Sequence, residues 1–301
     1  MATTGDTFQR KEKKYLLTAD QCAAIKAGLR AHMRLDDYGA TRIDSLYLDT
    51  PNRDLICRSL EKPIYKEKLR VRSYGAFSGA ETLFVEIKKK FKGIVYKRRV
   101  KMSADAARSY YSRELSYEKA MELFPTEGSV LGAIPFGQLQ ISREIDAFFR
   151  RYGNLVPSML ISCLREAWCP IDAEDDDCVD RITFDTDIRY VDLMNPTSAQ
   201  RCHVTAPDQV VMEIKCAGGY PMWLCALLSD VGALPRSFSK YGNAYKRVLA
   251  DQGAISVRQS ADGKVAVHRI PTIDERAQSN RDALISPSEG FEAPSTLLRA
   301  S

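Results

Sequence analysis

The chain has 301 residues, of which 45% are hydrophobic and 28% charged, with a net charge of +5. That suits one large or two small globular domains, contains no run of about 18 apolar residues that could span a membrane as a helix, and is too mildly basic to indicate nucleic acid by itself. The polar first ten residues lack the apolar centre of a secretory signal.

In chain order, residues 1–7 are expected to be disordered and residues 8–16 to form a strand. Thr18 then caps a helix to about Met33. Thr41–Asp49 reads as a strand. The stretch Asp49-Thr50-Pro51-Asn52 opens a helix to about Leu60, with Pro in its first turn. Strands at 65–74, 82–90 and 94–101, separated by Gly75, Gly79 and Gly93, read as an antiparallel meander. Ser103 caps a helix to about Leu123, and helical spacing of Ile141, Ile145 and Phe148 or Phe149 marks a second at 137–151. Strands return at 158–169 and 180–192, either side of an acidic loop at 172–177. Val210–Cys216 is a strand, and 221–231 and 239–249 are helices. From Asp251 the chain turns polar, and 251–301 reads as a flexible tail. Strands in runs with helices between the runs indicate α+β.

Eight scattered cysteines include no CxxC pair, and the three histidines are far apart without HExxH spacing. Reduced thiols in a cytosol are expected, and any metal should be a hard, oxygen-bound ion rather than zinc. No GxGxxG or GxxxxGK[ST] follows a strand, which argues against a Rossmann or P-loop nucleotide site.

The strands carry the functional signal. In 66–74, Lys66, Lys68, Arg70 and Arg72 fall on one side and Leu69 and Val71 on the other, so the four cations share one face. The same writing puts Arg10, Glu12 and Lys14 on one face, Glu86, Lys88 and Lys90 on another, then Lys97 with Arg99, Arg165, Arg181 with Asp185 and Asp187, and Glu213 with Lys215. A solvated edge guarded by cations is the plainer account of one such strand, and a cross-strand salt bridge that of one Glu-x-Lys pair. For Arg165, pairing with a buried acid weighs evenly against phosphate binding. Charge on nearly every long strand instead favours a sheet that closes and lines its interior with these faces. Such a lumen suits a multiply charged phosphate, with Arg70 and Arg72 as bidentate donors, and a divalent metal. Glu213, in an otherwise apolar strand, is the leading metal ligand.

The segments Arg10-Lys-Glu-Lys-Lys-Tyr15, Lys68-Leu-Arg-Val-Arg-Ser-Tyr74, Val85-Glu-Ile-Lys88, Tyr96-Lys-Arg-Arg99, Arg181-Ile-Thr-Phe-Asp-Thr-Asp187, Val211-Met-Glu-Ile-Lys215 and Ser237-Phe-Ser-Lys-Tyr241 occur in order. Together they resemble the VTC domain, the polyphosphate polymerase domain of the vacuolar transporter chaperone family, within the triphosphate tunnel metalloenzymes related to CYTH-type phosphatases. The resemblance implies an antiparallel eight-stranded β-barrel tunnel with flanking and inserted helices, forming a catalytic domain over residues 8–250. It implies transfer of the ATP γ-phosphate to a growing polyphosphate chain, dependent on Mn²⁺ or Mg²⁺. Lys14, Arg70, Arg72, Lys88, Lys97, Arg165, Arg181 and Lys240 would bind phosphate by matching position, with Arg99 and Lys215 beside them. Glu213 would hold the metal, with Glu12 and Glu86 as further candidate carboxylates. The expected catalytic set is Lys14, Arg70, Arg72, Lys88, Arg165, Glu213 and Lys240.

Ser237 stands where eukaryotic members often carry another Lys, with Arg236 beside it. Without an SPX-like helical domain or membrane helices, the chain resembles the stand-alone bacterial version. A cytoplasmic enzyme is expected, acting on ATP and polyphosphate without nucleic acid or direct membrane insertion. A separate membrane partner is compatible with this reading. The alternatives are a metal-dependent triphosphatase of the same fold and a non-catalytic polyphosphate-binding module. Carboxylates inside the lumen argue against the latter.

Overall fold

The structure, a computed structural model, describes residues 11–92, 94–126, 134–172, 180–195, 201–251, 255–259 and 265–269. Two compact units divide the chain, 1–245 and 246–301.

The first unit is built on one antiparallel sheet. Its main path runs β1 (Lys11–Leu17), β10 (Val210–Cys216), β8 (Arg181–Asp192), β7 (Val156–Pro170), β3 (Thr41–Asp49), β4 (Tyr65–Tyr74), β5 (Thr82–Phe91) and β6 (Ile94–Ser103). The short strands β2 (Met33–Leu35) and β9 (Cys202–His203) add to β7 and β8. Every pairing is antiparallel.

Period-two writing sorts side chains between two faces. On the convex face, Leu69, Val71, Leu83, Val85, Ile87, Val100 and Met102 pack under helices α3 (Ala104–Tyr111), α4 (Tyr117–Leu123) and α5 (Phe136–Tyr152). Tyr15, Leu17, Met212, Ile214, Ile182 and Phe184 pack under α1 (Ala19–Leu29) and α6 (Met222–Asp230). Each such fully buried aliphatic or Phe side chain contributes roughly 1.5–3 kcal/mol. The apolar cores therefore lie outside the sheet, and the charged residues take its concave face.

The sheet curls into a half-barrel. Register shifts at Tyr47/Leu48 and Ser162/Leu164 add bend and twist. At the second, Asp187 takes a φ of +46°. Curling brings Lys88 of β5 under the charges of Glu12, Lys14 and Glu213 on β1 and β10, nearly the whole path away. Full ladder closure, expected from the sequence, is not reached among the described residues: β1 and β6 remain the two edges.

Thr18 caps α1 through a capping box, accepting from Gln21 N at 3.2 Å while the Gln21 side chain accepts from Thr18 N at 3.1 Å. The helix stops at Leu29, short of the expected Met33, which lies in β2. Helix α2 (Asp54–Leu60) starts after the expected Asp49–Asn52, because Asp49 caps it from a distance. Its carboxylate accepts from Leu55 N at 2.9 Å and Ile56 N at 3.1 Å. The single helix expected from Ser103 to about Leu123 is two. Arg113 has a φ of +68°, and Ser116 starts α4 by accepting from Lys119 N at 3.2 Å.

Helix α7 (Lys240–Asp251) runs into the second unit. There β11 (Ile255–Gln259) and β12 (Val265–Arg269) form an antiparallel hairpin with Val257 opposite Val267. These strands replace part of the expected structureless stretch. The expected disorder of 1–7, the expected flexible tail of 251–301 apart from 251, 255–259 and 265–269, most of the acidic loop, and Arg10 lie outside the described residues.

Candidate functional site

The concave face gathers the charged residues into three clusters. The first spans β4, β5 and β6, where Arg70 stands opposite Glu86 and Glu86 opposite Arg99. Arg70 Nε donates to Glu86 Oε2 at 2.6 Å, and Lys97 Nζ lies 3.0 Å from Glu86 Oε1. Arg72 and Arg99 each approach the same carboxylate at 3.9 Å. Burial opposes the charge on Glu86, but Arg70, Arg72 and Lys97 outweigh it and bring its pKa down to about 2. Burial lowers Lys97 to about 8 against the pull of Glu86. Tyr47 faces Arg70 across β3–β4, its phenol accepting from Arg70 Nη1 at 3.4 Å. Although burial opposes it, Arg70 and Lys68 pull that phenol down to about 8.

One step along the ladder, Lys68 stands opposite Lys88, and Lys88 opposite Lys97. Like charges directly opposite each other destabilise a sheet. Neither Lys68 nor Lys88 has an ion pair among the described residues. Burial, then Lys66, Lys88 and Lys14, depress Lys68 to about 8 despite Tyr47, and burial lowers Lys88 too.

The second cluster is a square of charge on β1 and β10. Two Glu-x-Lys segments run antiparallel, so Glu12 faces Lys215 and Lys14 faces Glu213. The Lys14 ammonium lies 3.2 Å from Glu213 and 3.4 Å from Glu12, and Lys215 lies 2.7 Å from Glu213. Burial works against the charge on Glu213, yet Lys14 and Lys215 hold its pKa far below the usual carboxylate range. Lys14 is raised overall, because Glu213 and Glu12 outweigh its burial.

In the third cluster, Arg165 binds Asp185 in bidentate fashion at 2.6 and 2.8 Å, and Lys240 pairs with the same carboxylate. Burial opposes ionisation of Asp185, but Lys240 and Arg165 hold it well below the usual range. Arg181 is drawn instead to buried Asp36.

A strap ties these clusters together. Pro235 bridges to Tyr15, Arg236 N donates to Lys14 O at 2.7 Å, and Lys14 Nζ reaches Phe238 O at 3.4 Å. Lys68 Nζ donates to Ser239 Oγ at 3.2 Å. Tyr241 stacks on Tyr47 with ring centroids 4.5 Å apart and donates to Asp49 at 2.8 Å. Asp49 caps α2 as well, so one buried carboxylate fixes both α2 and the start of α7.

The carboxylates differ in their fit to a metal. Among the described residues, no three His, Cys, Asp or Glu side chains form a ready-made metal group. Glu86 does not fit, because Arg70 and Lys97 occupy its two oxygens. Asp185 is likewise taken by Arg165 and Lys240. Glu213 and Glu12 fit better: both converge on the Lys14 ammonium, Lys215 holds the other Glu213 oxygen, and no arginine lies within ion-pair distance of either among the described residues. One or two carboxylates completed by substrate phosphate oxygens is a common Mg²⁺ arrangement.

All the expected phosphate ligands thus belong to strands or a helix start on the concave face, with Arg181 tied at its side by Asp36. Tyr47, Ser239 and Asp49 fall outside the expected functional set, and Asp185 is the buried acid that pairs with Arg165. Tyr47 shares the lumen-side alternation of β3, a signal the sequence does carry. In the sequence Asp49 reads only as the end of a strand and the opening of the next helix.

The family model for the VTC domain matches residues 9–249. Among curated proteins, none matches the sequence. A solved structure of a provisionally assigned adenylate cyclase from Vibrio parahaemolyticus is similar at 10% identity, with a TM-score of 0.40, over 81% of this chain and 99% of that one. So slight a likeness carries no argument.

Proposed function

Because the chain belongs to the VTC domain family, we propose that it is a polyphosphate polymerase that transfers the ATP γ-phosphate to a growing polyphosphate chain. One observation carries this reading: Lys68 and Lys88 face each other in the lumen without a carboxylate ion pair. Such a pair is costly alone and is relieved by a polyanion lying between them.

Phosphoryl transfer asks for positioning and charge neutralisation rather than a protein nucleophile. Arg70 and Arg72 grip phosphate oxygens from one wall, and Lys14, Arg165 and Lys240 from the other. Lys88 and Lys97 extend the track. A terminal oxygen of the acceptor chain attacks the γ-phosphorus, the bond from that phosphorus to the β–γ bridging oxygen breaks, and ADP leaves. Glu213, with Glu12 beside it, would hold Mn²⁺ or Mg²⁺. Bound there, the ion would neutralise phosphate oxygens and polarise the γ-phosphoryl group. Lys14 and Lys215 hold these carboxylates in the metal-free protein and, with a cation there, would be free to meet phosphate oxygens.

Hydrolysis by the same lining would need a carboxylate to orient water. Glu86 is occupied by cations, which leaves Glu12. Incubation with ATP and Mn²⁺, followed by gel analysis, tests the proposal. Long chains with ADP, lost in Glu213→Ala, are expected; orthophosphate alone would establish a triphosphatase instead. Bound ATP or polyphosphate without turnover would leave a binding module.

A further inference from the structure

Exposed apolar residues cluster at the far end of the β5–β6 hairpin. Ile64 is 69% exposed, Phe91 44%, Ile94 45%, Val95 41% and Tyr96 54%. Successive strand residues point to opposite faces. Exposure of Ile94, Val95 and Tyr96 in a row therefore means that neither face of the hairpin end is covered. Phe91 faces Ile94 across the turn and Tyr65 across β4–β5, and Lys92 N donates to Ile64 O at 3.0 Å. Phe91, Ile94, Tyr96 and Tyr65 thus share one face of the hairpin end, while Val95 lies on the other beside Lys90.

Cations surround the hairpin end. Lys62, Lys90 and Lys92 are exposed, and Lys66 stands opposite Lys90. The nearby acids Glu67 and Glu144 are committed, the first to Arg151 at 2.7 Å and the second to Lys89 at 3.2 Å and Arg98 at 2.7 Å. Glu61 is exposed close by. A soluble polyanion would engage the lysines but gives no reason for the exposed Ile64, Phe91, Ile94 and Val95.

We propose that this hairpin end docks on an anionic lipid surface, with Phe91 and Ile94 entering the interfacial layer and Lys62, Lys90 and Lys92 meeting the headgroups. Apolar and aromatic groups ringed by lysine are what such a surface binds. Adsorption of this kind needs no spanning segment, and no helix of the described residues is long and apolar enough to cross a membrane. Self-association through the free β6 edge is the rival use of the patch. It is disfavoured because Lys97, Arg98, Arg99 and Lys101 follow one another along that edge and would meet like charges in a second copy.

Flotation of the full chain with phosphatidylglycerol-containing vesicles and with neutral phosphatidylcholine vesicles tests the proposal. Binding to the anionic vesicles only is expected, weakening as salt rises. The double variant Phe91→Ser/Ile94→Ser should reduce it at least about tenfold while leaving tripolyphosphate binding and the melting temperature unchanged. Lys62→Gln/Lys92→Gln should weaken it as well. No flotation of the wild type would overturn the proposal. So would flotation indifferent to the Phe91 and Ile94 changes, which would assign the binding to lumen cations. A concentration-dependent dimer that those changes dissociate would assign the patch to self-association instead.

Discussion

Arg70 stands directly opposite Glu86 on the β4–β5 ladder, and its Nε donates to Glu86 Oε2 at 2.6 Å. With Lys97 on the other oxygen, the carboxylate serves as an internal counter-ion for the densest group of cations in the lumen. Glu86→Gln removes that counter-charge while keeping shape. The ligand-free protein should lose about 3 kcal/mol, the scale of breaking a buried ion pair, seen as a melting temperature lower by several degrees. Saturating tripolyphosphate should restore most of the loss by neutralising the same cations. A melting temperature unchanged without ligand, with a higher Mn²⁺ requirement, would instead make Glu86 a metal ligand.

Glu213 has the same local sequence but different surroundings. It meets two lysines and no arginine within ion-pair distance among the described residues. Lysine ammoniums on flexible stems can yield to a metal more readily than a bidentate guanidinium. Glu213→Gln should raise the Mn²⁺ concentration for half-maximal rate by at least about tenfold, a shift that even outer-shell changes at metal sites produce. A titration with the same midpoint as wild type would remove Glu213 from the metal site.

These two glutamates show how far the sequence reaches. Alternation in β4 reveals that Lys66, Lys68, Arg70 and Arg72 share a face, because period two is local. The limits of β3 and β10 follow from the same rule, and both match the structure. Glu86 and Glu213 cannot be told apart that way, since each sits in Val-Glu-Ile-Lys or Met-Glu-Ile-Lys and only strand pairing supplies the neighbours. Arg181 with Asp36, and Lys68 with Ser239, join residues far apart in the chain. The break between α3 and α4 was missed because helical spacing continues across residues 112–116, while Ser116 favours a fresh cap.

On the proposed mechanism, Tyr241 would position Lys240. Its hydroxyl joins Asp49 and Ser158, each at 2.8 Å, while its neighbour Lys240 pairs with Asp185 in the lumen. Tyr241→Phe keeps the stack on Tyr47 but leaves buried Asp49 short of one donor, at a cost of about 1–3 kcal/mol. We expect kcat to fall more than KM rises, because the lysine loses its fixed approach to the reacting phosphate. Equal loss of stability with unchanged kcat would make the hydroxyl purely structural.

The last prediction concerns pH. In the ligand-free protein Lys68 and Lys97 titrate at about 8, against about 10.4 for an unfolded lysine. Between those values the unfolded chain holds more protons, so these two groups make stability rise with pH from about 8 upward. Tripolyphosphate needs them charged, so its affinity should fall over the same range. Melting curves at pH 7 to 9.5 should therefore rise without ligand, while the gain on adding tripolyphosphate shrinks. Lys68→Met should flatten both slopes. A ligand-induced gain that stays constant to pH 9.5, or slopes that Lys68→Met leaves intact, would show that these lysines remain charged and do not govern the binding.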